Sequence, residues 1–219
     1  MTIISGYAQL MAACDDAAQR ERYVAQILRQ FELLASMTRE VLAFARGDAD
    51  LVVRKVYMHR FLDELGTQLG ALVAGRGIDV QLEAGYDGVA YFDEGKVLRV
   101  IHNLARNAVE AMIGGGTLWI SSALEPGTDG DQLVLTIRDN GPGIPLEVQG
   151  RLFALFASAK RGGTGLGLAI VKKVVDDHGG RIDWSTGASG TSFRIALPRE
   201  RPAVVADDAA ATLTGMAPS

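Results

Sequence analysis

Apolar and small residues near the start of the chain recur in alternating steps of three and four. Val24, Ile27, Phe31, Leu34, Thr38, Val41 and Ala45 form one such row, which predicts a helix with a single buried seam. Ile4, Tyr7, Met11 and Cys14 repeat the rhythm over a shorter stretch. Asp15-Asp16 between the rows can break and cap, and Gly47-Asp48 ends the second helix. The prediction is a helical hairpin over residues 1–48. Two helices cannot bury such seams by themselves. Either a second copy covers them, making a two-chain four-helix bundle, or the hairpin packs on its own chain.

From Leu51 onward the period switches between two and about 3.6 residues. Strands are expected at Leu51–Tyr57, Ile78–Ala84, Thr117–Leu124, Gln132–Arg138, Arg181–Ser185 and Ser192–Leu197. Helices are expected at Met58–Ala74, Phe92–Met112 and Leu166–Asp177, with Asp93 placed to cap the second of these. Gly75-Arg76-Gly77 and Gly114-Gly115-Gly116 punctuate the helix ends. Helices mixed with strands in this order describe an α+β fold, a two-layer α/β sandwich over residues 49–200. Residues 201–219 are rich in Ala, Asp and Pro without period and read as a disordered tail or linker.

Composition narrows the class. Of 219 residues, 48% are hydrophobic and 22% charged, as in an ordinary soluble domain. A net charge of -4 argues against a nucleic-acid partner. No apolar run is long enough to span a bilayer, and no signal peptide opens the chain, so a cytoplasmic setting is expected. A longer parent protein with an upstream membrane anchor is compatible with this. Cys14 is the only cysteine, which excludes a disulfide within the chain.

Chemistry concentrates in three segments. Asn103 and Asn107 lie four apart on a predicted helix and share a face, with Arg106 alongside. Their amide oxygens can ligate Mg²⁺ and their NH₂ groups can donate to phosphate. Asp139 ends a strand and opens Asp139-Asn140-Gly141-Pro142-Gly143-Ile144. Its carboxylate can accept from an exocyclic amine such as that of adenine, and Gly141 and Gly143 let backbone approach the base. Gly162-Gly163-Thr164-Gly165-Leu166-Gly167 runs into an apolar helix start, where free N–H groups and the helix dipole make a phosphate seat. It lacks the Gly-Lys-Ser/Thr of a Walker loop, and it lies too late in the chain for a dinucleotide fingerprint. Between the glycine segments, Phe153 and Phe156 would anchor a short mobile stretch from which Lys160 or Arg161 could reach a γ-phosphate.

In this order and spacing, the segments resemble the bacterial two-component sensor histidine kinases. Asn103…Asn107 is similar to that family's N box, Asp139–Ile144 to its G1 box, Phe153–Phe156 to its F box and Gly163–Gly167 to its G2 box. Thr2–Ala8 resembles the stretch that follows the phospho-acceptor histidine. The resemblance implies a Bergerat ATP-binding sandwich preceded by a dimerising hairpin. It implies ATP held by Asn103, Arg106, Asn107, Glu110, Asp139, Gly141, Gly143, Ile144, Phe156, Lys160, Gly163, Thr164, Gly165, Leu166 and Gly167, with Mg²⁺ on Asn107. It further implies phosphoryl transfer to a histidine, then to an aspartate of a response-regulator receiver domain, with a homodimer formed through the hairpin.

Two departures matter. Glu110 stands where many members carry a base, as in kinases of the nitrogen-regulation type. The chain's histidines are His59, His102 and His178, none on the hairpin, so the chain alone is expected not to phosphorylate itself. ATP-hydrolysing relatives usually carry glutamate at the position of Asn103, and a neutral amide is a poor general base. A kinase is therefore expected before an ATPase. A non-catalytic, ATP-gated dimerisation module is the alternative of another class.

Overall fold

The computed structural model describes residues 3–45, 51–128, 130–157 and 165–200. The hairpin elements are α1 (Ile3–Ala12) and α2 (Ala17–Ala45). Asp16 caps α2, its carboxylate accepting the Ala18 amide at 2.9 Å, as the acidic pair predicts. The two helices meet through Tyr7 and Tyr23, whose ring centroids lie 6.0 Å apart. Val24, Phe31 and Leu34 of the seam remain exposed, as do Leu10 and Leu28 beside it. The Gly47-Asp48 stop lies outside the described residues, as does the tail beyond residue 200.

The remaining elements are β1 (Arg54–Tyr57), α3 (Met58–Val73), β2 (Ile78–Ala84), β3 (Val89–Phe92), α4 (Glu94–Ala111), β4 (Gly116–Gly127), β5 (Gly130–Asp139), α5 (Leu146–Gln149), α6 (Gly167–Asp177), β6 (Arg181–Gly187) and β7 (Gly190–Pro198). Five strands form one mixed sheet in the order β2-β4-β5-β7-β6, parallel only at β2–β4. Leu118 and Ile120 of β4, Leu133, Leu135 and Ile137 of β5, and Phe193, Ile195 and Leu197 of β7 point to one face. There they meet Leu65 and Leu69 of α3, Ile101 and Leu104 of α4, and Val171 and Val175 of α6 in one core. That is the two-layer α+β sandwich expected from the pattern. On the other face Arg138 stacks 5.2 Å above the Trp119 ring.

Three boundaries differ from expectation. The first strand is only Arg54–Tyr57, because its partner β3 has four residues and the register closes at Arg54↔Phe92. Val52 instead donates its amide to the Asp93 carboxylate at 3.1 Å. Phe92 belongs to β3, not to the helix, and packs edge-on to Phe61 at 5.3 Å. Asp93 starts α4 as the capping residue, its carboxylate accepting the Lys96 amide at 3.1 Å. β4 and β5 run longer than expected, since antiparallel pairing carries them to Gly127↔Gly130. Short α5 has too few residues to show a period. Among the described residues, no helix is long and apolar enough to cross a membrane.

Candidate functional site

Two element ends and the flank of one helix converge. β5 ends at Asp139, α6 begins at Gly167, and the middle of α4 passes beside both. Asp139 is the one buried carboxylate of the described residues. Its Oδ1 accepts the Gly141 amide at 2.8 Å and the Thr191 amide at 3.3 Å. Burial pushes its carboxyl above the usual value, and the two amides pull back. Held this way, the group keeps capacity for a further donor, as an exocyclic amine would supply.

The glycine turn after Asp139 rests on the β6–β7 hairpin. Gly143 has φ +81, and a Cβ there would collide with the Gly187 carbonyl. The next amide, Ile144, donates to Thr186 Oγ1 at 2.8 Å. At Gly141, a Cβ would stand 2.9 Å from the Asp139 carboxylate and 3.3 Å from Met112 Cγ. Gly143 in particular leaves no room for a side chain, because the atom in the way is backbone.

On α4, Asn103 and Asn107 are half-buried on one face. The Asn103 Nδ2 is buried with no hydrogen-bond partner among the described residues. An orphaned buried amide is costly unless a ligand satisfies it. A Cβ on Gly167 would lie 3.7 Å from Asn103 Oδ1, so the asparagine faces the start of α6. Among the described residues, no side chain caps that helix. Its N-terminal dipole suits an anion. Leu166 is buried.

The donor set fits a magnesium nucleotide: an acceptor for the base amine, an uncapped helix start and an orphaned amide for phosphate. Asn107 lies one turn beyond Asn103 on the same face of α4. Arg106 and Glu110 are exposed on α4, flanking the site. Of the two phenylalanines expected to anchor the next stretch, Phe153 packs on the core but Phe156 is 68% exposed. The backbone of Phe156 turns through φ 64, the left-handed region that a bulky residue rarely adopts. Gly165, at φ +66, abuts the Phe156 backbone, so the two ends of the stretch touch. Lys160, Gly163 and Thr164 lie outside the described residues.

Pattern reading missed Thr191 and Thr186, which come from a different hairpin. Their only signal was position: Thr191 follows Gly190 at the start of the last strand, and Thr186 is the penultimate residue of β6. None of the histidines enters the site. His59 is exposed on α3. His102 contacts Gln68 Oε1 at 2.5 Å, and burial, then Arg106, lowers its pKa. His178 is buried at the end of α6. Its Nε2 accepts the Asp93 amide at 3.0 Å, so its Nδ1 carries the proton donated to Val174 O at 2.7 Å.

The family model described as histidine kinase-, DNA gyrase B-, and HSP90-like ATPase matches residues 92–201. The chain belongs to this family. Its relatives are two-component sensor histidine kinases. It is 32% identical over 158 residues to the sensory histidine kinase/phosphatase NtrB of Rhizobium leguminosarum bv. phaseoli, covering 65% of this chain and 41% of that one. Full-length histidine kinase ShkA, solved with AMPPNP, superposes at a TM-score of 0.68 and 26% identity, over 88% of this chain and 42% of that one. Histidine kinase ThkA, solved with the response regulator TrrA, superposes at 0.73 and 25% identity, over 91% and 57%. The chain thus spans less than half of its NtrB relative.

Proposed function

We propose that this chain is the catalytic part of a sensor histidine kinase that binds Mg·ATP and delivers the γ-phosphoryl group to a histidine, for relay to a receiver-domain aspartate. The observation that carries the reading is the pairing of the buried Asp139 carboxylate with the orphaned Asn103 amide beside an uncapped helix start. Asp139 takes the adenine amine and sets the base. Asn103 and the first turn of α6 donate to phosphate oxygens. Asn107 holds the magnesium ion, which neutralises phosphate charge when bound. Lys160, Gly163 and Thr164 complete the phosphate contacts. These residues supply positioning and charge stabilisation, the main demands of phosphoryl transfer.

Of the site residues that are described, Asn103 is a neutral amide and a poor base for water, and Asp139, held by two amides, is assigned to the adenine amine. Transfer to an imidazole is therefore favoured over hydrolysis. The acceptor is a histidine other than the chain's own three. His178 spends both ring nitrogens on backbone partners, and His102 is committed to Gln68. The likeness to ThkA, solved with TrrA, supports a response-regulator partner. The exposed apolar row of the hairpin supports a homodimer.

The test mixes this chain with a version preceded by a histidine-bearing segment and carrying Asn107→Ala and Asp139→Ala, then adds γ-labelled Mg·ATP. Acid-labile label on the longer chain is expected. No label, with nucleotide binding and heterodimers both confirmed, would favour a non-catalytic binding module.

A further inference from the structure

Ile144 closes the glycine turn that follows Asp139, and side chains from elsewhere hold both polar groups of its backbone. Its amide donates to Thr186 Oγ1 and its carbonyl accepts from Gln149 Nε2, each at 2.8 Å. Thr186 belongs to β6, whereas Gln149 is the last residue of α5, five positions beyond the carbonyl it serves. A helix of four residues has little stability of its own. Buried Val148 seats α5 on the domain, and the Gln149 bond closes residues 144–149 back onto the turn. The first half of the turn has separate ties: the Gly141 amide to Asp139 Oδ1 and the Thr117 amide to Asn140 Oδ1, both at 2.8 Å. The second half has Gly143 at φ +81, then Ile144.

We infer that Gln149 is a positioning residue for nucleotide binding: its amide holds the Ile144 carbonyl and so keeps the glycine turn in its binding shape before nucleotide arrives. The inference rests on the nucleotide reading given above, in which Gly141 and Gly143 meet the base. Gln149 acts through Ile144 and need not touch the nucleotide. A glycine-rich turn has many shapes open to it when unheld, since glycine takes positive and negative φ alike. With the Gln149 donor removed, the carbonyl of half-buried Ile144 turns to water, and the turn spends part of its time in shapes that do not fit. Apparent affinity falls with the fraction that still fits. One hydrogen bond of ordinary net strength sets that loss at about fivefold.

The experiment measures Mg·ADP binding by calorimetry and amide hydrogen exchange by NMR for the parent chain, Gln149→Met and Gln149→Lys. Methionine keeps the length of the side chain without a donor, and lysine restores a donor. Gln149→Met should bind ADP about fivefold more weakly and exchange the Ile144 amide faster by a similar factor. Its urea midpoint and the exchange of β5 and β7 amides should match the parent. Gln149→Lys should return Ile144 exchange to the parental rate; exchange decides here, because the added charge also acts on phosphate. Parental ADP affinity in Gln149→Met would overturn the inference. So would weaker binding with Ile144 exchange unchanged, or a loss that tracks a lowered urea midpoint, since Gln149 would then only support the fold. Should Gln149→Met fail to fold, Gln149→Leu carries the same comparison. A parent that binds no ADP would sink the nucleotide reading itself, and this inference with it.

Discussion

Asp139 is held in a place that suits a ligand better than it suits the fold. Because burial raises its carboxyl pKa in the folded state, the native chain binds a proton that the unfolded chain has already released. Stability from this residue is thus greatest below the ordinary carboxylate value and declines as pH rises through the raised one. At neutral pH the ionised group is a burden. Asp139→Asn keeps an oxygen for the Gly141 and Thr191 amides and removes the charge. We expect its melting temperature at pH 7 to equal or exceed the parent's, and its ADP affinity to fall by about tenfold to a hundredfold. A variant that melts lower, or binds ADP as well as the parent, would contradict this. Nucleotide affinity of the parent should also weaken on acidification through the raised pKa, as the carboxylate loses its acceptor character. Asp139 could be read from the sequence because local turn chemistry surrounds it. Thr191 and Thr186 could not, because register alone brings them to it from strands some 50 residues later.

At the level of elements, the long periodic segments announced themselves. α3, β2, α4 and α6 fall within two residues of the positions that the apolar pattern assigns. β3 did not. Val89, Ala90 and Phe92 continue smoothly into the apolar positions of α4, and only pairing with β1 makes them a strand. The divide between β3 and α4 is kept by Asp93, whose carboxylate serves the Lys96 and Val52 amides while its own amide reaches His178. His178 therefore joins the end of α6 to the start of α4. His178→Ala should orphan the Asp93 amide and cost about 1–3 kcal/mol in urea unfolding. A loss below about 0.5 kcal/mol would show that water replaces the imidazole. Gly165→Ala should act at the other end of α6. Its positive φ and contact with the Phe156 backbone leave no room for a methyl group. ADP binding should weaken several-fold with little change in the urea midpoint, since the clash lies at the pocket rim.

For the whole molecule, the hairpin and the sandwich raise different questions. The sandwich buries its own core, whereas Val24, Leu28, Phe31 and Leu34 stay exposed along α2. A row of this kind along one helix marks a surface that a second copy can cover. Phe31→Glu should shift the chain toward monomer in sedimentation equilibrium and leave ADP affinity unchanged. If the parent is already monomeric at tens of micromolar, the row serves another contact. That alternative was open in the sequence for a physical reason: a seam shows that burial is needed, not what supplies it.

The Asp139–Thr191 contact spans 52 positions of chain. β5 is synthesised well before β7, so the half-built sheet carries Asp139 without the strand whose amide helps to hold it. Contacts this distant form late in folding, after the closure entropy of the intervening chain has been met. The candidate site is accordingly expected among the last parts of the domain to mature. Added ADP should then slow unfolding while leaving the refolding rate nearly untouched, and a nascent chain should remain blind to nucleotide until its final strand has docked.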